Sequence, residues 1–114
     1  MNDSPLLVRV VFADPKLIYY LQSLKDGKFE DKQLALFVDR ALDDLASNPK
    51  CGIKIPKTLW PKSYVSEFQI RNLYKYDLPN GWRLLYFIRG SELEVLAIVL
   101  DWLSHKDYER KFGY

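Results

Sequence analysis

The stretch 72–100 constrains the fold of this chain more than any other. Strand-like residues are interrupted there twice, at Pro79-Asn80-Gly81 and again around Gly90. Proline suits the first position of a tight turn, and asparagine and glycine tolerate positive φ. Residues 79–81 therefore read as a hairpin connection between strands over 72–78 and 82–89. Tyr74, Tyr76 and Leu78 alternate onto one face of the first strand. Arg89 to Glu92 turns the chain again, with Gly90 as the permissive residue. The run from Leu93 to Leu100 is apolar on both faces except at Glu94, as expected of a strand near the middle of a sheet. Three strands joined by two tight turns form an antiparallel meander.

The first half has another period. Residues 6–12, LLVRVVF, read as a strand with Val8, Val10 and Phe12 on one face, and a central place in the sheet is expected. Asp14-Pro15 reads as an N-cap followed by proline at the first helical position, opening a helix over roughly 15–25 that Asp26-Gly27 stops. A second helix covers about 30–47 and ends at Asn48-Pro49. Leu34, Phe37, Val38, Ala41, Leu42 and Leu45 follow its i, i+3, i+4, i+7 stripe. Of these, Leu34, Phe37, Val38, Leu42 and Leu45 are expected to pack on the sheet. Two helices with a short joint make an αα-hairpin that one sheet face can accept. The expected class is α+β: an N-terminal strand, an αα-hairpin, an antiparallel meander, and a short C-terminal helix within Asp101 to Tyr114. At 114 residues there is room for one domain, 1–114.

Between the halves, Pro56 and Pro61 break any long element. Cys51 to Ile55 reads as a short strand and Leu59 to Phe68 as one or two helical turns. Trp60, Tyr64 and Phe68 are spaced by four, which favours anchoring to the body. The same rings beside lysines could instead form a stacking platform for bases.

Single residues exclude several chemistries. One cysteine, Cys51, makes no internal disulfide, and one histidine, His105, leaves no Cys/His set with metal-ligand spacing. No GxGxxG, Walker A, HExxH or Ser-His-Asp signature is present. No metal and no cofactor is expected. The start, MNDSPLLVRVVFADP, lacks the basic and long apolar regions of a signal peptide, and no apolar run reaches a membrane span. The expectation is a cytoplasmic protein with no membrane partner. Net charge is only +2, yet residues 50–83 carry seven basic and two acidic side chains. That local field suits an anionic partner, nucleic acid or acidic protein; its bland reading is a solvated lysine-rich loop.

Hairpin geometry brings one group of polar residues together. The start of strand 82–89 lies near the end of strand 93–100, so Arg83 should approach His105 and Lys106, with Tyr108, Arg110 and Lys111 just beyond. A histidine, a tyrosine and several cations can cleave RNA without a metal. The 2′-hydroxyl attacks the adjacent phosphate, one group takes its proton and another protonates the leaving 5′-oxygen. Arginine can hold the phosphorane charge through paired donors. Plainer readings are a surface histidine, an Arg83–carboxylate pair, and a Tyr108–Phe112 packing stripe.

The segment LYKYDLPNGWRLLYFI followed by EVLAIVLDWLSHKDYERKFGY resembles the C-terminal half of the RelE/ParE toxin superfamily, in a branch with Y-x-L-P-x-G-W-R-L-x-Y and then H-K-x-Y-x-x-x-F. The element order matches over nearly the whole chain. The chain differs in a Pro- and Trp-containing middle stretch and has no clear Lys-x-Lys pair at a strand end. The resemblance implies a toxin of a type II toxin–antitoxin system: a metal-independent, ribosome-dependent endoribonuclease acting on mRNA, held silent by a cognate antitoxin with an amphipathic helix. It implies catalytic roles for Arg83, His105, Lys106 and Tyr108. It also implies RNA binding by basic residues, with Lys54, Lys57, Lys62, Arg71, Arg110 and Lys111 as candidates. The superfamily includes gyrase inhibitors, so a non-cleaving protein that binds a topoisomerase or an antitoxin is the alternative.

Overall fold

The structure, a computed structural model, describes residues 7–113. The meander forms where its turn residues require it. Strands β3 (Tyr74–Asp77), β4 (Arg83–Gly90) and β5 (Glu94–Leu103) are antiparallel neighbours. Asn80 and Gly81 take φ of 63° and 79° in the short 3-10 turn between β3 and β4. Strands β1 (Leu7–Phe12) and β2 (Ile53–Lys54) complete one open sheet in the order β1-β5-β4-β3-β2.

Several expectations are corrected. The first strand is not central: β1 is an edge strand, parallel to β5. Val10 and Phe12 pack on one core and Val11 on the other, so two-sided covering gives an edge strand the apolar pattern of a central one. Leu6, the first residue of that expected strand, lies outside the described residues. Gly90 supplies no left-handed turn residue and instead ends β4. Ser91 makes the turn: its backbone N–H donates to Glu94 O at 2.9 Å, and its hydroxyl accepts from the amides of Leu93 and Glu94. Asp101 to Leu103 are strand, not helix, because they stay in the ladder opposite Leu85, Leu84 and Arg83. Pro15 sits one position earlier than expected, as the N-cap of α1 (Lys16–Lys25), while the Asp14 carboxylate accepts the Lys16 amide at 2.9 Å.

Helices cover both sheet faces. On one face α1 and α2 (Phe29–Ser47) bury Leu17, Leu21, Leu24, Leu34, Val38, Ala41 and Leu45 against Leu84, Tyr86, Ala97, Val99 and Trp102. Phe37 and Leu42 pack against this core as expected, half-buried at its margin. On the other face α3 (Lys62–Phe68) and α4 (His105–Phe112) bring Tyr64, Tyr108 and Phe112 onto Leu85, Phe87, Ile98 and Leu100. The middle segment is anchored as its spacing suggests. Tyr64 is buried, Trp60 and Phe68 pack beside it, and the Trp60 indole donates to Ile55 O at 2.9 Å. Tyr86, in the central strand, donates to Pro49 O at 2.7 Å and accepts from the Gly52 amide at 3.0 Å. A Cβ at Gly52 would lie 2.6 Å from that hydroxyl, so glycine is required for the approach.

Burial ranks the helix positions. Leu45 is fully enclosed, so Leu45→Ala should cost about 2–5 kcal/mol in urea unfolding. Phe37→Ala should cost less than Leu45→Ala despite removing more atoms, because the ring is only partly enclosed.

Candidate functional site

The β3–β4 turn, the first residue of β4 and the first turn of α4 meet at one end of the sheet. Arg83 is paired in register with Asp77 on one side and Leu103 on the other. Only Ser104 separates Leu103 from α4, and its hydroxyl caps the helix by accepting the Asp107 amide at 3.2 Å. His105 is therefore delivered to Arg83 by the ladder itself. The turn closes from the other side: a Cβ built at Gly81 would stand 3.2 Å from the His105 Cβ.

Arg83 is held on several sides. Its Nη1 donates to Gly81 O at 2.7 Å and contacts His105 Nδ1 at 3.1 Å. The guanidinium carbon sits 4.7 Å from the centre of the Tyr108 ring, a cation–π distance. Nε is buried without a hydrogen-bond partner, and Asp77 Oδ1, at 3.8 Å, is beyond hydrogen-bond reach. Asp77 is shared with Lys75, 3.4 Å away.

The imidazole is oriented by both its nitrogens. A guanidinium can only donate, so Nδ1 accepts from Arg83 and the ring proton lies on Nε2. There it meets the Glu109 carboxylate, one helical turn on. The chain Glu109–His105–Arg83 thus sets an imidazole beside a guanidinium, with the Nδ1 lone pair engaged by Arg83. Tyr108 is buried and also stacks on Phe112 at 4.4 Å, so the packing role read from their spacing holds as well.

The other candidates fall in different places. Lys106 is exposed on the first turn of α4. Arg110 pairs with Asp107 at 3.7 Å, and the Lys111 ammonium lies 4.7 Å from the centre of the Tyr64 ring. Lys54 lies on β2 opposite Tyr74, hence on the αα-hairpin face of the sheet, away from Arg83. Lys57 is exposed on the short 3-10 turn before α3, and Lys62 is exposed as the first residue of α3. Arg71 precedes β3 beside Ile88 and Arg89, at the opposite end of β4. Among the described residues, no group of three or more His, Cys, Asp or Glu side chains is placed to hold a metal ion.

Sequence reasoning missed Gly81, Asp77, Glu109 and Asp101. Glu109 was findable from its i+4 spacing to His105, and Asp77 from the hairpin register opposite Arg83. Asp101 was hidden by a bulge in the β4–β5 ladder, which turns it toward α4. Burial there pushes its carboxyl above the ordinary value. The Trp102 amide and Lys111 pull it back down, and Asp107 adds to the rise.

Comparison with protein-family models, with curated proteins and with solved structures gave no match to this chain.

Two measurements follow from this geometry. The folded chain holds the Asp101 proton more tightly than the unfolded chain does. Stability should therefore fall as pH rises from the ordinary carboxylate value through the raised one. Asp101→Asn should remove that loss, raising stability at neutral pH by about 1 kcal/mol or less, since the group is partly solvated, with no gain near pH 2–3. Urea midpoints at the two pH values check it. Gly81→Ala should cost about 1–2 kcal/mol through its positive φ and displace His105, read as a shift of the His105 ring resonances by NMR.

Proposed function

We propose that this protein is the toxin of a type II toxin–antitoxin system and cleaves mRNA on the ribosome, as a metal-independent endoribonuclease. The observation that carries this reading is the contact between the Arg83 guanidinium and the His105 imidazole, beside a buried guanidinium N–H that has no hydrogen-bond partner. An arginine with a donor to spare next to a ring lone pair suits a phosphodiester whose neighbouring hydroxyl must lose a proton.

In the proposed reaction the 2′-oxygen bonds to phosphorus and the bond from phosphorus to the 5′-oxygen breaks. The products are a 2′,3′-cyclic phosphate and a free 5′-hydroxyl. The incoming phosphate draws Arg83 Nη1 off the imidazole, which frees Nδ1 to take the 2′-hydroxyl proton; Glu109 stabilises the imidazolium, and the protonated ring can return the proton to the leaving oxygen. Arg83 carries the charge that develops on the phosphorane, and Tyr108 keeps its guanidinium in place. Lys106 holds a neighbouring phosphate of the strand. The ribosome supplies the rest of the substrate geometry, which accords with the open placement of the cluster. The place of action is the cytoplasm, and the resting partner is an antitoxin that docks an acidic amphipathic helix on the basic surface.

Primer extension on an mRNA in a purified translation system tests the reading. Wild-type protein should cut within the ribosome-bound codon. Arg83→Ala should slow cutting by about 10²–10³-fold, the cost of one lost oxyanion donor, and His105→Ala should slow it comparably, both with far-UV circular dichroism unchanged. Wild-type rates in both variants would overturn the proposed site. Inhibition without any cut would favour a protein that acts by binding.

A further inference from the structure

The far end of β4 holds a second cationic feature. Beyond Tyr86, β4 has outrun β3, which begins at Tyr74. A side chain stands in for the missing strand: the Asn72 amide nitrogen donates to Ile88 O at 2.8 Å, and its oxygen accepts the Ile88 amide at 2.7 Å. The gap beside this clamp is an open cleft of about 520 Å³, lined by Gln69, Arg71, Asn72, Phe87, Ile88, Arg89 and Gly90. No carboxylate lines it.

Its two arginines are unlike most others in the chain. Arg9, Arg83 and Arg110 each have a carboxylate within 4 Å, whereas Arg71 and Arg89 have none among the described residues. Arg89 is fixed instead by neutral groups: its Nη2 donates to Phe68 O at 3.3 Å, and its guanidinium carbon lies 5.4 Å from the centre of the Phe87 ring. Gln69, beside them, is a non-glycine residue held at φ 52°. Two uncompensated guanidiniums and amide side chains around a carboxylate-free cleft make an anion site.

Its position selects the anion. Arg83 and Arg89 are six residues apart on one strand with no bulge on it, so they share a sheet face about 20 Å apart. The contacts between them run through α4 and α3. Arg83 lies on Tyr108, Lys111 lies on Tyr64, and Arg89 binds the last residue of α3. Cations therefore recur from one end of β4 to the other. We infer that the Arg71–Arg89 cleft is a second phosphate site that grips the same single-stranded RNA several nucleotides away from the Arg83 end. This rests on the reading of the protein as an RNA-cleaving toxin and adds a length requirement to it. The implied footprint is within the ~4–16 nucleotides that single-strand sites commonly cover. An acidic peptide would match the charge of the cleft but not its alignment with Arg83.

The test measures binding apart from cleavage. Uncleavable 2′-O-methyl oligouridylates of about three and about eight nucleotides are labelled and titrated by fluorescence anisotropy at several salt concentrations. The longer strand should bind more tightly. Arg71→Ala should weaken it roughly five-fold or more and reduce the salt slope by about 0.7, one phosphate contact, while leaving the short strand and the melting temperature unchanged. Arg71→Lys, which keeps the charge, should keep the slope. Arg40→Ala, on the outer side of α2, should change nothing. The inference is overturned if wild-type protein binds neither strand, if Arg71→Ala binds the long strand like wild type, or if Arg71→Ala weakens an acidic peptide and not RNA. Failure here with Arg83-dependent cleavage intact would leave the proposed function standing. Success here without cleavage would leave an RNA-binding track and remove the nuclease.

Discussion

The ladder between β4 and β5 carries everything else in this molecule. It is the longest pairing in the sheet, and both cores are built on its two faces. Its one irregularity sits where Leu85 pairs with Asp101 while the next residue, Tyr86, pairs with Val99. Leu100 is the extra residue. Side chains alternate along a strand, so one inserted residue exchanges the faces of all that follow. That exchange turns Trp102 toward the αα-hairpin, where it stacks on Tyr20 at 4.9 Å. It turns Asp101 toward α4. It also sets the phase with which Leu103 arrives opposite Arg83, and so the direction in which His105 leaves the sheet.

The same irregularity explains what could be read from the residues alone. Turn chemistry at 79–81 and the helical stripe at 34–45 are local signals, and the elements they imply are present. The proximity of Arg83 to His105 was legible because it needs only a hairpin and a count along two strands. The end of the last strand was not legible. An apolar run that stops at Leu100 looks finished, and nothing about Asp101 announces that the ladder absorbs a bulge and continues to Leu103. The edge position of β1 was also out of reach, since periodicity records whether faces are covered and not how many neighbours share hydrogen bonds. For the cations, the basic character of 50–83 was visible, but its distribution was not. The middle segment crosses the sheet, so Lys54 and Arg71 end up far from Arg83.

Polar groups on β3, β4 and β5 are satisfied to different degrees. Tyr76, on the αα-hairpin side, donates to Asp44, and this bond with burial pushes its phenol up to about 12. Tyr86 is fully bonded to Pro49 and Gly52. Arg83, by contrast, keeps a buried donor without an acceptor, and Asp101 stays in surroundings that disfavour its charge. Such groups cost stability where they stand.

The two turns that flank β4 differ in what they can tolerate over evolutionary time. The 79–81 turn is part of the cluster: Gly81 lends its carbonyl to Arg83 and its lack of a side chain to His105. Its length and its glycine are tied to the placement of Arg83 and His105. The turn at 91–93 reverses the chain through Ser91 and Glu94 and accepts the Leu7 amide at Leu93 O, at the end of the strand away from His105. Descendants of this sequence can lengthen, shorten or decorate that second turn without touching the cluster. Family divergence, and any engineered tag or inserted peptide, should therefore accumulate at 91–93 and stay away from 79–81.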